Sequence, residues 1–402
     1  LILFRSHLRN GRSVMALAES DDGGRSFARS MLGLHEFNGS TENNILWNGG
    51  TPGIPVAFLD TNPRCRDHER YKGLASRWQK DRSAGEQDLY VMASDDGLRW
   101  RRMQDGPVEM PGAFDTINTA FWDDLAGGYR SYTRYFNPAH KPVAGGMGVR
   151  GIQMSTSDDF LHWTPPVPLE YEDGDERMQL YTNAIVPCPG AEHIYVGFPN
   201  RIVETRESCS GQPWPGVNDA LFMASRDGVH WTRYREAWVR PGLDPRNWTQ
   251  RNNYPLWHII RTSPEEWSIL ISEHYKQEDR TPVRLRRLAI RPWGFVSVHA
   301  GFDGGELTTR PLVFEGRSLR LNYATSAAGS LQVEVQDEDG RALDGFNMND
   351  MRPMFGDALD APVRWGETND LTGMTGKPVR LRLSLKDADL FSFRFTNKQQ
   401  GE

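Results

Sequence analysis

Four stretches decide the fold: VMALAESDDGGRSF (14–27), LYVMASDDGLRW (89–100), IQMSTSDDFLHW (152–163) and ALFMASRDGVHW (220–231). Each is an alternating apolar run that ends in Ser-x-Asp, with glycine next in three of the four, and closes on an aromatic residue. Alternation of this kind is the period of a half-buried strand. The aspartate is suited to accept hydrogen bonds from its own turn, the glycine takes a positive φ, and the aromatic ring packs back over the hairpin. The four serines (Ser20, Ser94, Ser157 and Ser225) are separated by 74, 63 and 68 residues. A fifth, degenerate copy, LRRLAIRPWGFVSV (285–298), follows about one repeat further on.

Outward from these turns the sequence supplies two more strand-like runs before each copy from the second onward. Examples are IPVAFLD (54–60) with RYKGLAS (70–76), and YTNAIVPC (181–188) with HIYVGFP (193–199). Four strands per repeat is the arithmetic of a propeller blade, so residues 1–301 read as a five-bladed β-propeller. The first copy is preceded only by LILFRSH, so the inner strand of blade one is expected upstream of Leu1, the alternative being that the ring closes differently. From residue 302 onward, runs such as SLQVEVQ and RLRLSL, separated by Gly and Asp turns, read as a β-sandwich over 302–402. The expectation is an all-β chain.

Composition narrows the function. Forty-seven Lys and Arg against 53 Asp and Glu leave a net charge of −6, a poor field for gripping nucleic acid. No apolar run approaches the roughly 18 residues of a membrane span. Thirteen Trp, 12 Tyr and 18 Phe supply a large aromatic core and argue against disorder. Cys65, Cys188 and Cys209 have neither disulfide nor zinc spacing, and no phosphate-binding glycine loop, nucleophile elbow or HExxH is present. No cofactor and no catalytic metal are expected; a structural cation in the propeller channel stays open.

In a propeller the ligand end is where the innermost strands begin. The repeated acids Asp22, Asp96, Asp159 and Asp227 lie in the hairpin turns and read as structural. Asp115, in GAFDTINTAFWD (112–123), precedes an inner strand; the alternative is an Asx-turn at that strand's start. Glu176, in EDGDERMQLYTNAI (172–185), precedes the next one, and its acidic neighbours allow a solvated loop instead. RNNYPLWHI (251–259) opens the fifth, where Arg251 and Asn252 offer the donors and acceptors that sugar hydroxyls need. Glu273 and His274 end a neighbouring strand. Arg150 and Arg201 are suited to fork onto a carboxylate or sulfate of an acidic sugar, or to ordinary ion pairs. Asp60 in FLDTNP (58–63) reads as a turn-shaping residue or an additional site acid. Trp47, Trp78, Trp214 and Trp257 fall outside the repeat hairpins and suit sugar stacking or core packing.

Five blades followed by a sandwich resemble the propeller glycoside hydrolases of families 32, 43, 68 and 117. FLDTNP, ERYKGLA (69–75), GAFDTINTAFWD, LYTNAI (180–185), RNNYP (251–255) and SEHY (272–275) look closest to a family-32-like bacterial group. The WMNDPNG block, the Arg-Asp-Pro motif and the Glu-Cys pair of the invertase type do not occur. SDDGGRSF (20–27) also fits the sialidase Asp-box, a family with six blades, an arginine triad and a tyrosine nucleophile. The resemblance implies a glycoside hydrolase with a carbohydrate substrate, acting from the non-reducing end and secreted or periplasmic. Hydrolysis needs one carboxylic acid to protonate the leaving oxygen and a second carboxylate to activate water or attack carbon, and Asp115 and Glu176 are the pair assigned, Glu176 as the acid. By the same resemblance, a third carboxylate belongs to the inner strand of blade one. A propeller polysaccharide lyase, with Tyr or His as base, and a non-catalytic carbohydrate-binding propeller are the alternatives.

Overall fold

The computed structural model describes residues 1–7, 13–47, 56–77, 87–140, 148–175, 177–209, 215–275 and 282–397. It is all-β, broken only by short single-turn helices. The first sheet holds β1 (Ile2–His7), β2 (Ser13–Ala18) and β3 (Ile45–Trp47), and the second β4 (Val56–Leu59), β5 (Tyr71–Arg77), β6 (Asp88–Ser94) and β7 (Arg101–Arg102). The third holds β8 (Thr119–Asp123), β9 (Gly128–Asn137), β10 (Val149–Ser157) and β11 (Val167–Pro168). In the second and third, neighbours in sequence are antiparallel neighbours in the sheet.

Next come β12 (Glu170–Tyr171), β13 (Gln179–Leu180), β14 (Val186–Cys188), β15 (Ala191–Gly197), β16 (Asn200–Val203), β17 (Val217–Ala220), β18 (Met223–Ser225) and β19 (His230–Arg233). They divide between two sheets, β12-β19-β18-β15-β14 and β13-β16-β17. The second of these continues the first along the chain: β15 runs on into β16, and β17 into β18, across breaks of two residues. A further sheet holds β20 (Tyr254–Pro255), β21 (Ile260–Ser263), β22 (Glu266–Glu273) and β23 (Arg284–Ile290).

Contacts run from sheet to sheet in chain order. Met15 and Leu46 share an apolar cluster with Ala75, Tyr90, Met92 and Trp100. Asn62 Nδ2 donates to the Tyr129 hydroxyl at 3.0 Å. Tyr195 donates to Asp123, which also takes Arg130 Nε at 2.5 Å. Trp257 Nε1 donates to Ile185 O at 2.8 Å. Gly23 lies against Thr262, where a Cβ would come within 3.0 Å of the threonine side chain.

The Ser-x-Asp turns are built alike. In each, the serine hydroxyl donates to the aspartate (2.8 Å in the first copy, 3.0 Å in the second, 3.2 Å in the last two), whose Oδ1 in turn accepts two backbone N–H groups. The closing tryptophans donate back into their own turns, Trp100 to Gly97 O, Trp163 to Phe160 O and Trp231 to Gly228 O. Burial opposes ionisation of Asp96 and Asp159, but these hydrogen bonds outweigh it and hold both carboxyls down at about 2. The aspartates are therefore spent on their own hairpins.

The third copy replaces glycine with Phe160, which keeps the left-handed φ of 68°. Its ring is fully buried and meets Phe58, Tyr129 and Trp163 edge-on at 5.1–5.6 Å, and that packing offsets the backbone strain.

The fifth copy departs from the expected hairpin. LRRLAI is β23, but VSV leads into β24 (Val298–Ala300), which pairs with the C-terminal strand β28 (Arg380–Thr396). Arg-Pro-Trp-Gly lacks the Ser-x-Asp that closes the other turns, so nothing folds the second strand back. The chain divides into a unit of residues 1–262 and 268–288 and a unit of 263–267 and 289–402, a division ahead of residue 302. In the second unit β26 (Ser318–Gln336) pairs with β28 along most of its length, joined by β24, β25 (Gly305–Thr308) and β27 (Asp357–Pro362). Leu319, Leu321, Val333, Leu381 and Leu383, alternating with polar neighbours, form its core with Trp365. Among the described residues no helix is long and apolar enough to cross a membrane, and no group of three or more metal-ligating side chains occurs.

Phe160→Gly separates the two effects at that turn. It relieves the backbone but removes a buried ring, and the expected net loss is about 2–4 kcal/mol in urea unfolding, because burial of a phenylalanine outweighs one strained φ.

Candidate functional site

Asp115 is placed by a strapped loop. Ala113 N–H donates to Arg134 O at 2.7 Å, the Thr116 hydroxyl to Tyr181 O at 3.1 Å, and Asn118 Nδ2 closes the loop onto Phe114 O at 2.9 Å. These bonds hold Asp115 at the start of β8, where its carboxylate pairs with Arg134 Nη2. The Arg134 side chain is only 3% exposed. Its guanidinium stands 5.1 Å from the ring centres of both Phe136 and Tyr181. Burial lowers its pKa to about 10, so it stays charged at neutral pH.

Arg150 shares the aromatic clamp, 5.6 Å from the same two rings. Register explains this: Arg150 faces Phe136 across the β9–β10 ladder, and Arg134 lies two residues back on β9, on the same face. Arg150 Nη1 donates to Gln179 Oε1 at 2.7 Å and Glu204 Oε1 at 2.9 Å. Tyr181 in turn stacks on Tyr254, ring centres 5.6 Å apart and planes 13° apart.

Around this stack lies an asparagine network. Asn183 bonds Thr119 and the carbonyls of Ile117 and Tyr132; Asn200 Nδ2 donates to Asn252 O and Asn253 O at 3.1 Å; and Asn218 bonds Asn200 and accepts from Arg251 N–H at 2.7 Å. Asn252 Oδ1 accepts from Tyr275 N–H at 2.8 Å, and His274 Nε2 meets Asp244 Oδ2 at 2.8 Å. Ala184, Arg251, Asn253 and His274 all hold positive φ, four of the nine non-glycine residues that do so among those described. Strain concentrated in one cluster is a mark of a working site, held in place here by the amide network.

Burial pushes the Tyr254 phenol well above its ordinary value, so it is a neutral hydroxyl at neutral pH and a poor base. The residue is half-buried, while its hydroxyl is buried and meets no donor or acceptor among the described residues.

The structure thus brings Asp115, Arg150, Arg251, Asn252 and His274 to the end of the sheets where β8 and β10 begin. Glu273 reaches the same end of β22, where its buried carboxylate takes Arg284 at 2.5 Å and Arg286 at 2.7 Å. Arg201 goes elsewhere. It faces Asp219 across the β16–β17 ladder and forks onto that carboxylate at 2.9 and 2.5 Å, while Asn200 and Asn218 occupy the other face. Asp60 also lies apart, because it follows its strand instead of preceding it. It takes Lys72 Nζ and the Tyr129 hydroxyl, both at 2.7 Å, and Tyr129 is five residues, about 16 Å, down β9 from Arg134. A 330 Å³ cavity lined by Asn62, Cys65, Lys72, Tyr129 and Asp159 adjoins this ion pair and is remote from Asp115. Glu176, Trp78 and Trp214 lie outside the described residues. Trp257 is tied to the Ile185 carbonyl, which is a packing role.

Sequence reading missed Arg134, Tyr181 and Glu204. For Arg134 a signal existed: in SYTRYFN it interrupts the aromatic face formed by Tyr132 and Phe136. Glu204 carried none, because its role depends on how far β16 extends beyond β15.

No family model matches the chain, and no curated protein matches it. Similar solved structures include one from the GH130 family of mannoside phosphorylases, which contains glycoside hydrolases that target β-1,2-mannosidic linkages in Candida mannan (13% identity, 72% of this chain and 80% of that one, TM-score 0.45). Others are an N-acetylgalactosamine deacetylase from F. plautii (14%, 70% and 81%, 0.44) and a thermostable family-43 glycoside hydrolase (12%, 71% and 88%, 0.43).

Two substitutions separate the ends of the sheets. Lys72→Met strands the buried Asp60 carboxylate and is expected to cost about 3–5 kcal/mol in urea unfolding. Tyr254→Phe removes a hydroxyl without a partner among the described residues, so the melting temperature is expected to stay level or rise, as leaving such a group buried costs about 1–3 kcal/mol.

Proposed function

We propose that the protein is a glycoside hydrolase acting from the non-reducing end of a plant, algal or microbial glycan. In this reading the first unit forms a five-bladed propeller of the kind found in families 32, 43, 68 and 117, and the second, from residue 289 instead of 302, a sandwich. The succession of sheet contacts in chain order, returning from Thr262 to Gly23, supports five blades. One observation carries the function: a carboxylate, Asp115, fixed by a buried guanidinium ahead of β8.

Asp115 serves as base or nucleophile, with its carboxylate held in place by Arg134. Glu176 is the proton donor. The stacked Tyr181 and Tyr254 offer an apolar wall to a sugar ring, and the buried amides of Asn200 and Asn252, bonded to one another's backbone and to neighbouring turns, hold the segment that carries Tyr254. A lyase would need a phenol or imidazole ready to take a proton, and burial of Tyr254 works against that.

Screening aryl glycosides and polysaccharides tests the reading, with products followed for reducing ends and for ultraviolet absorption. New reducing ends without a new double bond are expected. Asp115→Asn should then lower kcat by about 10²-fold or more, in line with what a positioned acid–base group contributes. An unsaturated product, or near-normal turnover by the variant, overturns the proposal.

A further inference from the structure

The arginine pair at the site points to a charge on the substrate. Arg134 and Arg150 flank the same two rings, and their charges repel; Arg150 is among the causes that lower the Arg134 pKa, after burial itself. Among the described residues each has one carboxylate partner, Asp115 for Arg134 and Glu204 for Arg150. The two arginines differ in access. Arg134 is enclosed, whereas the Arg150 side chain is 23% exposed.

Arg150 is also fixed unusually well for a partly exposed arginine. Gln179 Oε1 accepts from both its backbone N–H (3.2 Å) and its Nη1 (2.7 Å), and Glu204 Oε1 accepts from the same Nη1 at 2.9 Å. Both anchors use one terminal nitrogen, so the guanidinium plane is set while the edge bearing Nη2 carries neither of them. Nε is itself buried, so Nη2 is the donor left for an anionic oxygen, and an arginine so positioned has already lost the rotamer freedom that binding would otherwise cost. Gln179 spends its oxygen wholly on Arg150, which is the arrangement of a residue that aims another.

We propose that Arg150, aimed by Gln179 and Glu204, selects a sugar bearing an anionic oxygen group, a uronate carboxylate or a sulfate ester, and holds that group beside Asp115. This rests on the glycoside hydrolase reading for the chemistry that follows, but recognition of the anion is measurable without turnover. A neutral sugar would leave the Nη2 edge to water. An acceptor-only anion uses it, and its binding weakens with salt.

Matched pairs test this by calorimetry and thermal shift: galacturonate against galactose oligosaccharides, and 6-sulfogalactose against galactose, at low and high salt. The wild-type protein should bind at least one anionic member about tenfold or more tightly than its neutral partner, with the margin shrinking at high salt. Preference in the first pair identifies the carboxylate, and in the second the sulfate. Arg150→Gln should abolish the margin, and Arg150→Lys should restore only part of it, because a flexible point charge replaces a donor aimed by Gln179 and Glu204. Gln179→Ala should narrow the margin while leaving Arg150 charged. Equal affinity for both members of each pair, no binding of either anion, or a margin that survives Arg150→Gln overturns the proposal. If neutral glycans are hydrolysed with no anionic preference, this inference falls and the hydrolase reading stands. If the anions bind with the expected margin and nothing is hydrolysed, the reverse holds.

Discussion

A charged guanidinium with 3% of its side chain exposed is the constraint on which the site depends. Moving a charge that far from water costs several kcal/mol unless partners replace the solvent. Arg134 has a carboxylate on Nη2 and aromatic faces at 5.1 Å on two sides. Each requires something further. The carboxylate needs the 113–118 loop strapped at Arg134 O and Tyr181 O. The Tyr181 ring needs β13 and Tyr254 behind it, and Tyr254 needs the strained 251–253 turn that Asn218 and Asn200 secure. The sheet β13-β16-β17 then has a clear purpose, since it carries Gln179, Asn200, Glu204 and Asn218 up to the ends of β9 and β10.

The opposite ends of the strands are settled by other means. There the acids are consumed: the turn aspartates by backbone N–H groups, and Asp60 by a lysine 3% exposed. A carboxylate with every acceptor site filled by its own turn or by a buried ammonium stabilises the fold and has nothing left for a ligand. Asp115, by contrast, has Arg134 as its carboxylate's partner among the described residues and no turn N–H groups of its own on it. What separates it from the other acids is therefore how much hydrogen-bonding capacity is left, not exposure, since the turn aspartates Asp159 and Asp227 are the more exposed.

That rule also marks how far the sequence could be read. The all-β character, the four equivalent turns and the placing of Asp115 at the start of a strand follow from periodicity and turn chemistry, which act over a few residues. The fate of the fifth copy did not, because LRRLAI and VSV look alike whether the second strand folds back on the first or joins β28. Arg201 and Asn200 differ by one position and point to opposite faces of β16, so the choice between them depends on register, which the hydrophobic pattern of NRIVE leaves undetermined. Asp60 was ambiguous for a related reason: FLDTNP has the composition of a site loop, and only the pairing of Leu59 with Tyr71 places it at the far end.

Arg134 shows what a sharper reading needs. In β9 the residues Tyr132, Arg134 and Phe136 share a face, and the first is fully buried. A strand that alternates toward a core should end that face in apolar residues, so a charge placed between two aromatics implies a counter-charge brought by another segment. Asp115, Asp123 and Asp124 lie within reach in sequence. Asp123 ends β8, eight residues after Asp115, and is claimed by Tyr195 and by Arg130, seven residues on across the hairpin. With Asp123 committed at one end of the β8–β9 hairpin, the second arginine of β9, four residues along, is met at the other end by Asp115. Arg130 and Arg134 thus pin the two ends of one hairpin with the same chemistry, and the difference in what lies beyond each pair separates a structural clasp from a candidate catalytic carboxylate.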